Sequence, residues 1–439
     1  MVRKILAICL IRRIGDKIDG NIPVEQAAYR AGRGTTEHTF AYKILAEKAI
    51  TSQDYTLYIT LMDMSKAFDT VKRNTLIEDL TNILDPAELH LIKILVEDVR
   101  LKVRVGKETS DYFTTKMGVP QGDCLSPILF TLYLAKALED KSNKQTDHTY
   151  AKSSDSVNDQ MYLPPALRDH IYSETPGYGI IIRPKYADDI GWAASNNNYK
   201  LEKEKSTAIH QLEQRGLQVN QAKTEEYIIT RRGDDKWRKC KVLGSLLDTN
   251  EDIKRRKSLT MNAMRKLEHI FTNNRTRIRL KIRIFKACVE SIFLYNSELW
   301  TVNKTTANKI DSFHRRMLRK AINIKWPRKI SNEQLYNKTK HHQQKWSNII
   351  KTRRIRWYGH LQRLPEKTPA KISLQEARRT IKRPRGGQVT TWLSTIEKDL
   401  IELDLSVEDA SHLVHDRREW RKVVRISRAL RSPEPDASQ

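Results

Sequence analysis

The sequence predicts an α+β protein with more than one domain, and three observations lead to this class. Up to about residue 250, short apolar runs that suit strands alternate with segments of helical periodicity. Beyond that point the pattern changes to basic amphipathic helices without a clear strand. The chain has 439 residues, of which 39% are hydrophobic. It can therefore fill a core, and its length suits two or three domains.

The first elements follow from local patterns. Residues 55–64 form an apolar strand candidate, and residues 71–84 have the periodicity of an amphipathic helix. Ser126-Pro127 signals another helix, because serine can cap free amide groups and proline suits the first helical position. We expect that helix to end near Asp140. Residues 141–176 are polar and contain prolines, which indicates a loop-rich insertion.

An antiparallel hairpin is expected next. Its strands are residues 180–182 and 190–194, and Tyr186-Ala187-Asp188-Asp189 forms the tight turn between them. A helix that begins near residue 198 should end at Gly216, since glycine favours the left-handed position after a helix. Further short strands are expected at residues 227–230 and 241–246.

Positive charge is concentrated in one part of the chain. The sequence carries 80 Lys+Arg against 53 Asp+Glu, a net charge of +27, and residues 251–360 hold 28 basic and 7 acidic residues. Such a concentration favours a polyanionic partner, because cations bound to phosphates release counterions. Aromatic residues interleave with these charges, and they either stack on bases or anchor the cores of the helices. They are Phe271, Phe285, Phe293, Trp300, Phe313, Trp326, Trp346, Trp357 and Tyr358.

The composition disfavours several classes of protein. The four cysteines include no C-x-x-C pair, which argues against a zinc ribbon or a disulfide-stapled domain. The longest apolar run near the start, residues 5–11, is too short for a bilayer span, which needs about 20 residues. No cleavage site for a signal peptide follows this run. We therefore expect a soluble intracellular protein without a membrane partner.

Three carboxylates lie at the ends of apolar strands, where an acidic residue is unusual and indicates a specific role. Asp63 follows the first strand, and Asp188 and Asp189 lie in the turn of the hairpin. Clustered carboxylates repel one another unless cations compensate them. Hard divalent ions with oxygen ligands, such as a pair of Mg²⁺ ions, would do so and could support an in-line displacement at phosphorus. A tight turn rich in aspartate is the alternative interpretation of residues 186–189.

Several segments in order resemble motifs of reverse transcriptases, and of those of non-LTR retrotransposons in particular. The first palm motif is similar to Asp63-Met64-Ser65-Lys66-Ala67-Phe68-Asp69, and the third to Tyr186-Ala187-Asp188-Asp189. The second, the fourth and the primer-grip region resemble residues 118–127, 216–224 and 242–244. A fingers motif resembles residues 26–38, and segments that follow the polymerase core resemble residues 294–300 and 354–360.

The resemblance implies a set of metal ligands and a sugar-selecting ring. Asp63, Asp188 and Asp189 would bind two Mg²⁺ ions, for which Mn²⁺ could substitute, and the backbone carbonyl of Met64 would complete one shell. Phe68 would lie under the incoming sugar and exclude a 2′-hydroxyl by its bulk.

The resemblance also implies nucleotide and template contacts. Pro120, Gln121 and Gly122 would belong to the loop under the nucleotide and template, and Tyr186 would lie beside them. Arg30 and Arg33 would meet the triphosphate, although a solvated basic loop is the alternative. Lys223 would protonate the departing pyrophosphate, unless it is a plain surface lysine.

The implied architecture is a right-hand polymerase with fingers, an antiparallel palm sheet, a thumb and a basic helical C-terminal extension. We expect truncated fingers and palm at residues 1–250, thumb-like basic helices at 251–300 and a basic helical extension at 301–364. A linker and C-terminal helices with a disordered tail would occupy residues 365–439. Only some 25 residues precede the fingers-like segment, so template grip and any nicking activity are in question.

The expected function is RNA-directed DNA polymerisation for a retrotransposon, by transfer of nucleotides from dNTPs to a primer 3′-hydroxyl. The partners would be an RNA template and a DNA primer or target. Two alternatives stay open, a nucleic-acid-binding relic without turnover and a maturase-like splicing factor. The basic cluster at residues 254–257 is compatible with nuclear entry. The sequence does not specify an oligomeric state.

Overall fold

Strands and helices alternate through the first part of the chain, as the sequence predicts. The structure, a computed structural model, describes residues 2–97, 100–139, 180–339, 345–379 and 389–429. The predicted insertion at 141–176, the linker at 383–387 and the tail from Pro433 lie outside the described residues. The chain divides into two compact units, one within residues 1–38, 55–230 and 367–372 and the other within residues 39–54, 231–366 and 373–439.

Short strands dominate the first unit and long helices the second. The strands are β1 Leu57–Met62, β2 Met64–Ser65, β3 Arg100–Leu101, β4 Arg104–Val105, β5 Glu108–Thr109, β6 Phe113–Thr114, β7 Ile181–Ile182, β8 Lys185–Tyr186, β9 Asp189–Ser195, β10 Gln218–Val219, β11 Glu225–Ile229, β12 Lys241–Val242 and β13 Ser245–Leu246. The helices are α1 Val2–Asp19, α2 Thr35–Thr51, α3 Arg73–Thr81, α4 Pro86–Val96, α5 Ser126–Ala137, α6 Asn198–Gln214, α7 Thr249–Lys266, α8 Glu268–Thr272, α9 Ile278–Phe285, α10 Ser291–Phe293, α11 Lys304–Ala321, α12 Asn332–Thr339, α13 Trp346–Gln362, α14 Pro369–Arg378, α15 Trp392–Ile401, α16 Val407–Leu413 and α17 Arg417–Ala429.

The main sheet of the first unit is antiparallel, as predicted. Its strand order is β11-β1-β9-β7, and β8 also pairs with β9. Strand β1 lies between β11 and β9, and four of its six residues are buried. Side chains of the sheet, of α1 and of the helices α3 to α6 build one apolar core, which includes Ile14, Leu76, Phe130, Trp192 and Leu212.

Two sequence expectations need correction. The helix expected at residues 71–84 is shorter, Arg73–Thr81. The strand expected at residues 241–246 is instead a hairpin of β12 and β13. Its turn contains Leu243 and Gly244 with φ values of +43° and +82°, and a left-handed pair of this kind reverses the chain. The predicted stop of the preceding helix is confirmed, since α6 ends two residues before Gly216, whose φ is +82°.

The second unit consists mainly of helices, as the sequence pattern predicts, and its core is rich in aromatic residues. Eight of the nine aromatic residues that interleave with the basic residues are buried there, from Phe271 and Phe285 to Trp357 and Tyr358. The rings of Phe293 and Trp346 stack with centroids 4.2 Å apart. Trp326 differs, since 85% of its surface is exposed. For the eight buried rings, the interpretation as core anchors is therefore correct and base stacking is not.

None of the helices in the described ranges is both long enough and apolar enough to cross a bilayer.

The packing of α13 against α17 gives a test of the second unit. Gly359 on α13 lies so close to Trp420 on α17 that a Cβ atom would overlap the indole ring. We expect Gly359→Ala to lower the free energy of unfolding by about 1–3 kcal/mol, because the ring must leave its place. The control is Gly15→Ala in α1, where a Cβ meets nothing within 4 Å. There the higher helix propensity of alanine should be neutral or stabilising. Denaturant unfolding of the full chain measures both, and equal effects would contradict this packing.

Candidate active site

The pairing of β1 with β9 brings the predicted acids to one edge of the sheet. Met62, the last residue of β1, pairs with Ile190, and both side chains are buried in the core. Asp63 follows Met62 in the chain and Asp189 precedes Ile190, so each acid lies one residue beyond the last β1–β9 pair. The register therefore brings two acids that lie more than a hundred positions apart in the sequence to the same end of this strand pair.

The turn that carries Asp188 is tight and left-handed. Tyr186 pairs with Asp189, which leaves Ala187 and Asp188 as the two turn residues. Ala187 has a φ of +55°, in the region that non-glycine residues rarely adopt, and it is 6% exposed. Asp188 is half-buried and Asp189 is exposed. The predicted hairpin tip is thus confirmed, and it holds Asp188 next to Asp189 at the start of β9.

Lys223 contacts Asp63 directly. Its Nζ donates to Oδ2 of Asp63 at 3.0 Å, and the two side chains are 66% and 31% exposed. The backbone supports this contact, because the amide of Asn220 donates to the Asp63 carbonyl at 2.9 Å. Met64 begins β2 and pairs with Val219 of β10. The fourth motif therefore lies against the first, as the resemblance implies.

The donor set fits hard divalent ions in its chemistry. Carboxylate and carbonyl oxygens are the ligands that Mg²⁺ prefers, and Asp63, Asp188, Asp189 and the Met64 carbonyl are of this kind. Across the part of the chain that the structure describes, no three acidic, histidine or cysteine side chains are grouped closely enough to hold an ion. A cation at Asp63 would take over the charge compensation that the Lys223 ammonium now provides.

The ring of Phe68 packs against a buried aromatic ring and stays partly accessible. Its ring stacks on Phe130 with centroids 4.4 Å apart and planes 27° from parallel. Phe130 is fully buried in α5, whereas Phe68 is half-buried and keeps part of its ring accessible. The carbonyl of Phe68 accepts a hydrogen bond from the amide of Val119 at 2.9 Å. The ring therefore rests on Phe130 while the backbone of Phe68 is anchored to Val119, and it can act as a steric barrier.

The loop Gly118–Gly122 lies against the segment after Asp63. Gly118 has a φ of +84°, and a Cβ at this position would lie 2.9 Å from the carbonyl oxygen of Asp69. The Gln121 side chain donates to Oδ1 of Asp69 at 3.2 Å. Ser126 at the start of α5 donates through its hydroxyl to the Pro120 carbonyl at 2.6 Å. The second motif thus packs on the first, and only glycine permits this distance of approach.

Arg73 is a supporting residue that sequence reasoning missed. It is 6% exposed, and its guanidinium donates to the carbonyls of Gly118 at 2.8 Å and Met117 at 3.2 Å and to the Thr115 hydroxyl at 2.7 Å. It stands at the first position of α3, where a basic residue normally indicates a solvated surface. No local signal distinguishes such an arginine, because its partners lie some 45 residues further along the chain.

Arg30 and Arg33 are engaged within their own unit. Arg30 donates to both carboxylate oxygens of Asp19, at 2.6 and 3.0 Å. Arg33 pairs with Glu37 and donates to the Val24 carbonyl at 3.0 Å. Both guanidiniums are mostly buried, with 14% and 11% of the side chain exposed. Their assignment to a triphosphate stays a prediction, and a solvated loop does not describe them.

Tyr29 is a second residue that sequence reasoning missed. It is 53% exposed and adopts a φ of +58°. Burial of its hydroxyl, with the nearby charges of Asp188 and Tyr186, raises the pKa of Tyr29 above its usual value. The phenol therefore lies near the acidic turn and stays protonated at neutral pH.

His38 contacts the ring of Tyr186 and carries no charge at neutral pH. The His38 ring meets the Tyr186 ring edge to face, with centroids 6.4 Å apart. Burial lowers the pKa of His38 to about 3, so the imidazole is neutral at neutral pH.

Comparison with known proteins identifies the first part of the chain. Residues 2–247 match the family described as "Reverse transcriptase (RNA-dependent DNA polymerase)". A probable RNA-directed DNA polymerase from the transposon BS of Drosophila melanogaster is 31% identical over 116 residues, which is 26% of this chain and 12% of that protein. The Pol polyprotein of the type-1 retrotransposable element R2 from Nasonia vitripennis is 28% identical over 29% of this chain and 12% of that protein.

A solved structure gives a weaker likeness. Apo telomerase from Candida tropicalis is 12% identical, with a TM-score of 0.39, over 95% of this chain and 61% of that one. The matches to the two polymerases from mobile elements each span about an eighth of the relative's length.

The two glycines of the loop provide a matched test of its packing. Gly118 and Gly122 have φ values of +84° and +83°, but a Cβ at Gly122 meets nothing within 4 Å. We expect Gly122→Ala to cost about 1–2 kcal/mol of unfolding free energy from backbone strain alone. Gly118→Ala should cost about 2–4 kcal/mol, because the contact with the Asp69 backbone adds to that strain. Urea denaturation of the full chain compares them, and equal losses would show that the close approach is absent.

Proposed function

We propose that this chain, which belongs to the reverse transcriptase (RNA-dependent DNA polymerase) family, adds deoxynucleotides to a primer 3′-hydroxyl under the direction of an RNA template. One observation carries this proposal. The register of β1 and β9 leaves Asp63 and Asp189 one residue beyond their last pair, next to the turn that holds Asp188, while the Gly118–Gly122 loop packs on the segment that follows Asp63 and Phe68 of that segment stacks on Phe130.

The proposed chemistry needs ions at this edge of the sheet. Two divalent cations, Mg²⁺ or Mn²⁺, would supply Lewis acidity that lowers the pKa of the primer hydroxyl and offsets charge on the pyrophosphate. Asp63, Asp188 and Asp189 would hold them through carboxylate oxygens, with the Met64 carbonyl as a further ligand. The chain itself would supply position and electrostatic stabilisation, which dominate catalysis of phosphoryl transfer.

The transfer step is a substitution at the α-phosphorus of the dNTP. The primer 3′-hydroxyl releases its proton to solvent water, and its oxygen bonds to the α-phosphorus as the bond from that phosphorus to the oxygen bridging the α- and β-phosphates breaks. Pyrophosphate leaves with the bonding electrons. Lys223 is suited to give it a proton, because its ammonium is exposed and lies at the edge of the acidic site, 3.0 Å from Asp63.

Selection of the sugar would rest on Phe68. The ring is braced by Phe130 and cannot retreat easily, so a 2′-hydroxyl would meet a fixed surface. Gln121, anchored on Asp69, offers an amide for hydrogen bonds to the nucleotide or template. Arg30 and Arg33 could meet the triphosphate only by leaving Asp19 and Glu37.

The proposed partners are an RNA template, a DNA primer or target and dNTPs. The related polymerases named for the mobile elements BS and R2 favour a retrotransposon of the non-LTR type as the source. The excess of basic residues between 251 and 360 would serve the phosphate backbone of the template and primer. Residues 251–300 would be the thumb, with a helical extension after them. We also propose a nuclear location, where such a primer would be found.

Removal of the acidic pair in the turn should abolish polymerisation. We expect Asp188→Asn with Asp189→Asn to reduce primer extension to below about a thousandth, since the ions would contribute several kcal/mol to the transition state. Affinity for template and primer should stay the same or rise, because two charges that repel phosphate are lost. The measurement is Mg²⁺-dependent extension of oligo(dT) on poly(rA), with binding followed by fluorescence anisotropy.

A second adjacent pair provides the control. Asp234 and Asp235 are 57% and 74% exposed and belong to no strand, and Asp234→Asn with Asp235→Asn makes the same change of charge. This variant should extend primers like the parent. An active Asp188/Asp189 double variant would contradict the assigned roles. Tight RNA binding by a parent chain that incorporates nothing would favour a nucleic-acid-binding relic instead.

Replacement of the ring at Phe68 should relax sugar selection. We expect Phe68→Val to raise incorporation of ribonucleotides relative to deoxynucleotides by about tenfold or more, because the smaller side chain leaves room for the extra oxygen. The matched control is Phe113→Val, which removes an exposed ring on β6. Single-nucleotide incorporation kinetics with dNTP and rNTP give the ratio of kcat/KM values. An unchanged ratio would show that Phe68 does not face the sugar.

A further inference from the structure

We propose that Gln26 is a positioning residue that fixes the turn carrying Asp188, and so sets the direction in which this carboxylate points. Nothing in the motif interpretation assigns a role to this side chain. The effect on catalysis rests on the proposed function, whereas the effect on the turn does not.

The Gln26 side chain contacts both polar groups of one turn residue. Its Oε1 accepts hydrogen bonds from the amides of Ala187 at 3.0 Å and of Ala28 at 3.1 Å. Its Nε2 donates to the Ala187 carbonyl at 3.3 Å. Gln26 is 2% exposed and Ala187 is 6% exposed, so water has little access to these bonds. One glutamine amide therefore satisfies the donor and the acceptor of the same buried turn residue.

These bonds act where the backbone is strained. Ala187 adopts a φ of +55°, which a residue with a Cβ holds only when its surroundings impose it. The hydrogen bonds of Gln26 restrain the peptide planes on both sides of Ala187. The peptide plane that follows Ala187 includes the amide nitrogen of Asp188. The orientation of this plane therefore influences the direction in which the Asp188 side chain leaves the backbone.

The backbone holds Gln26 in place from both sides. The amide of Ala27 donates to the Lys185 carbonyl at 3.0 Å, and the amide of Lys185 donates to the Glu25 carbonyl at 3.0 Å. This forms a short parallel bridge between Gln26 and Lys185, the residue that begins β8. The side chain of Gln26 is thus presented to the turn by a fixed backbone, and its effect does not depend on a mobile loop.

Glutamine is the residue type that this arrangement requires. The position needs an acceptor and a donor on one planar group, separated as the amide and carbonyl of one residue are, and a side-chain amide provides both at neutral pH. An ionised glutamate keeps the acceptor but loses the donor. Leucine keeps the approximate volume and leaves the Ala187 amide and carbonyl buried without these partners. The two substitutions therefore separate loss of one bond from loss of all three.

Replacement of Gln26 is predicted to lower the affinity of the site for the ions without lowering the affinity for substrate. Gln26 is buried and lies behind the turn, so it cannot touch a nucleotide or a template strand. Supporting residues behind metal ligands typically change metal affinity or activity by about 10–100-fold when they are replaced. A role in the general fold would instead lower stability and leave ion affinity unchanged in the molecules that remain folded.

The experiment uses the full chain with Gln26→Leu and Gln26→Glu. Hydrogen exchange of the peptide over residues 185–189 should be faster in Gln26→Leu, since the Ala187 amide loses its partner. Mn²⁺ binding, measured by electron paramagnetic resonance without nucleotide or nucleic acid, should weaken by about 10–100-fold. In primer extension kcat should fall by a similar factor, while KM for template–primer should change less than about twofold. Gln26→Glu should show smaller changes of the same sign.

Tyr133→Phe is the matched control. It removes another buried hydrogen bond of the same unit, from the Tyr133 hydroxyl to the Arg215 carbonyl at 2.6 Å. Exchange at residues 185–189 and Mn²⁺ affinity should match the parent in this variant. If Gln26→Leu does not fold, the proposal is tested with Gln26→Glu alone, by hydrogen exchange at residues 185–189 and by Mn²⁺ affinity.

The outcomes separate the two proposals. Parent-like exchange and Mn²⁺ affinity in the Gln26 variants would overturn the positioning role, whatever the parent's activity. A parent that binds Mn²⁺ but extends no primer would overturn the proposed function, and faster turn exchange with weaker Mn²⁺ binding in the variants would still support Gln26. A KM that rises with an unchanged kcat would mean that Gln26 acts on substrate binding, and would also overturn the inference.

Discussion

The antiparallel pairing of β1 with β9 is the constraint on which the rest of the site depends. Its register is set by burial, because Met62 and Ile190 oppose each other inside the core. A slip of one residue would separate Met62 from Ile190 and break the packing of a strand whose residues 190–195 are all buried. Core packing therefore fixes the register, and with it the position of Asp63 relative to Asp189 along the strands.

Around this pair the site is held chiefly by bonds to the backbone. Gly118 approaches the chain at Asp69, Ser126 and Arg73 secure the carbonyls of the neighbouring loop, and Asn220 holds the carbonyl of Asp63. Groups that would meet substrate, such as Lys223 and part of Phe68, remain accessible. A fixed backbone with accessible side chains suits positional catalysis, since little reorganisation is needed when substrate binds.

The second unit shows how a strongly basic segment can still fold. Its aromatic rings lie inside, where Trp346 stacks on Phe293 and on His314 with centroids 4.2 and 4.5 Å apart. Burial of these rings offsets the repulsion among the cations and leaves the cationic heads largely at the surface. The aromatic and the basic residues of this segment thus have separate roles. The rings provide stability, and the charges would bind the polyanionic partner proposed above.

The sequence by itself determined the alternation of strands and helices, the hairpin at Tyr186–Asp189 and the stop at Gly216. These features depend on local periodicity, on glycine conformation and on short motifs, all of which can be read within a few residues. The sequence left open whether the interleaved aromatics stack on bases, and it assigned no role to Arg73, Tyr29 or Gln26, although the last two lie in the fingers-like segment. Only the tertiary structure decided these points, because burial and hydrogen-bond partners depend on residues distant in the chain, as with Gln26 and Ala187, which lie 161 positions apart.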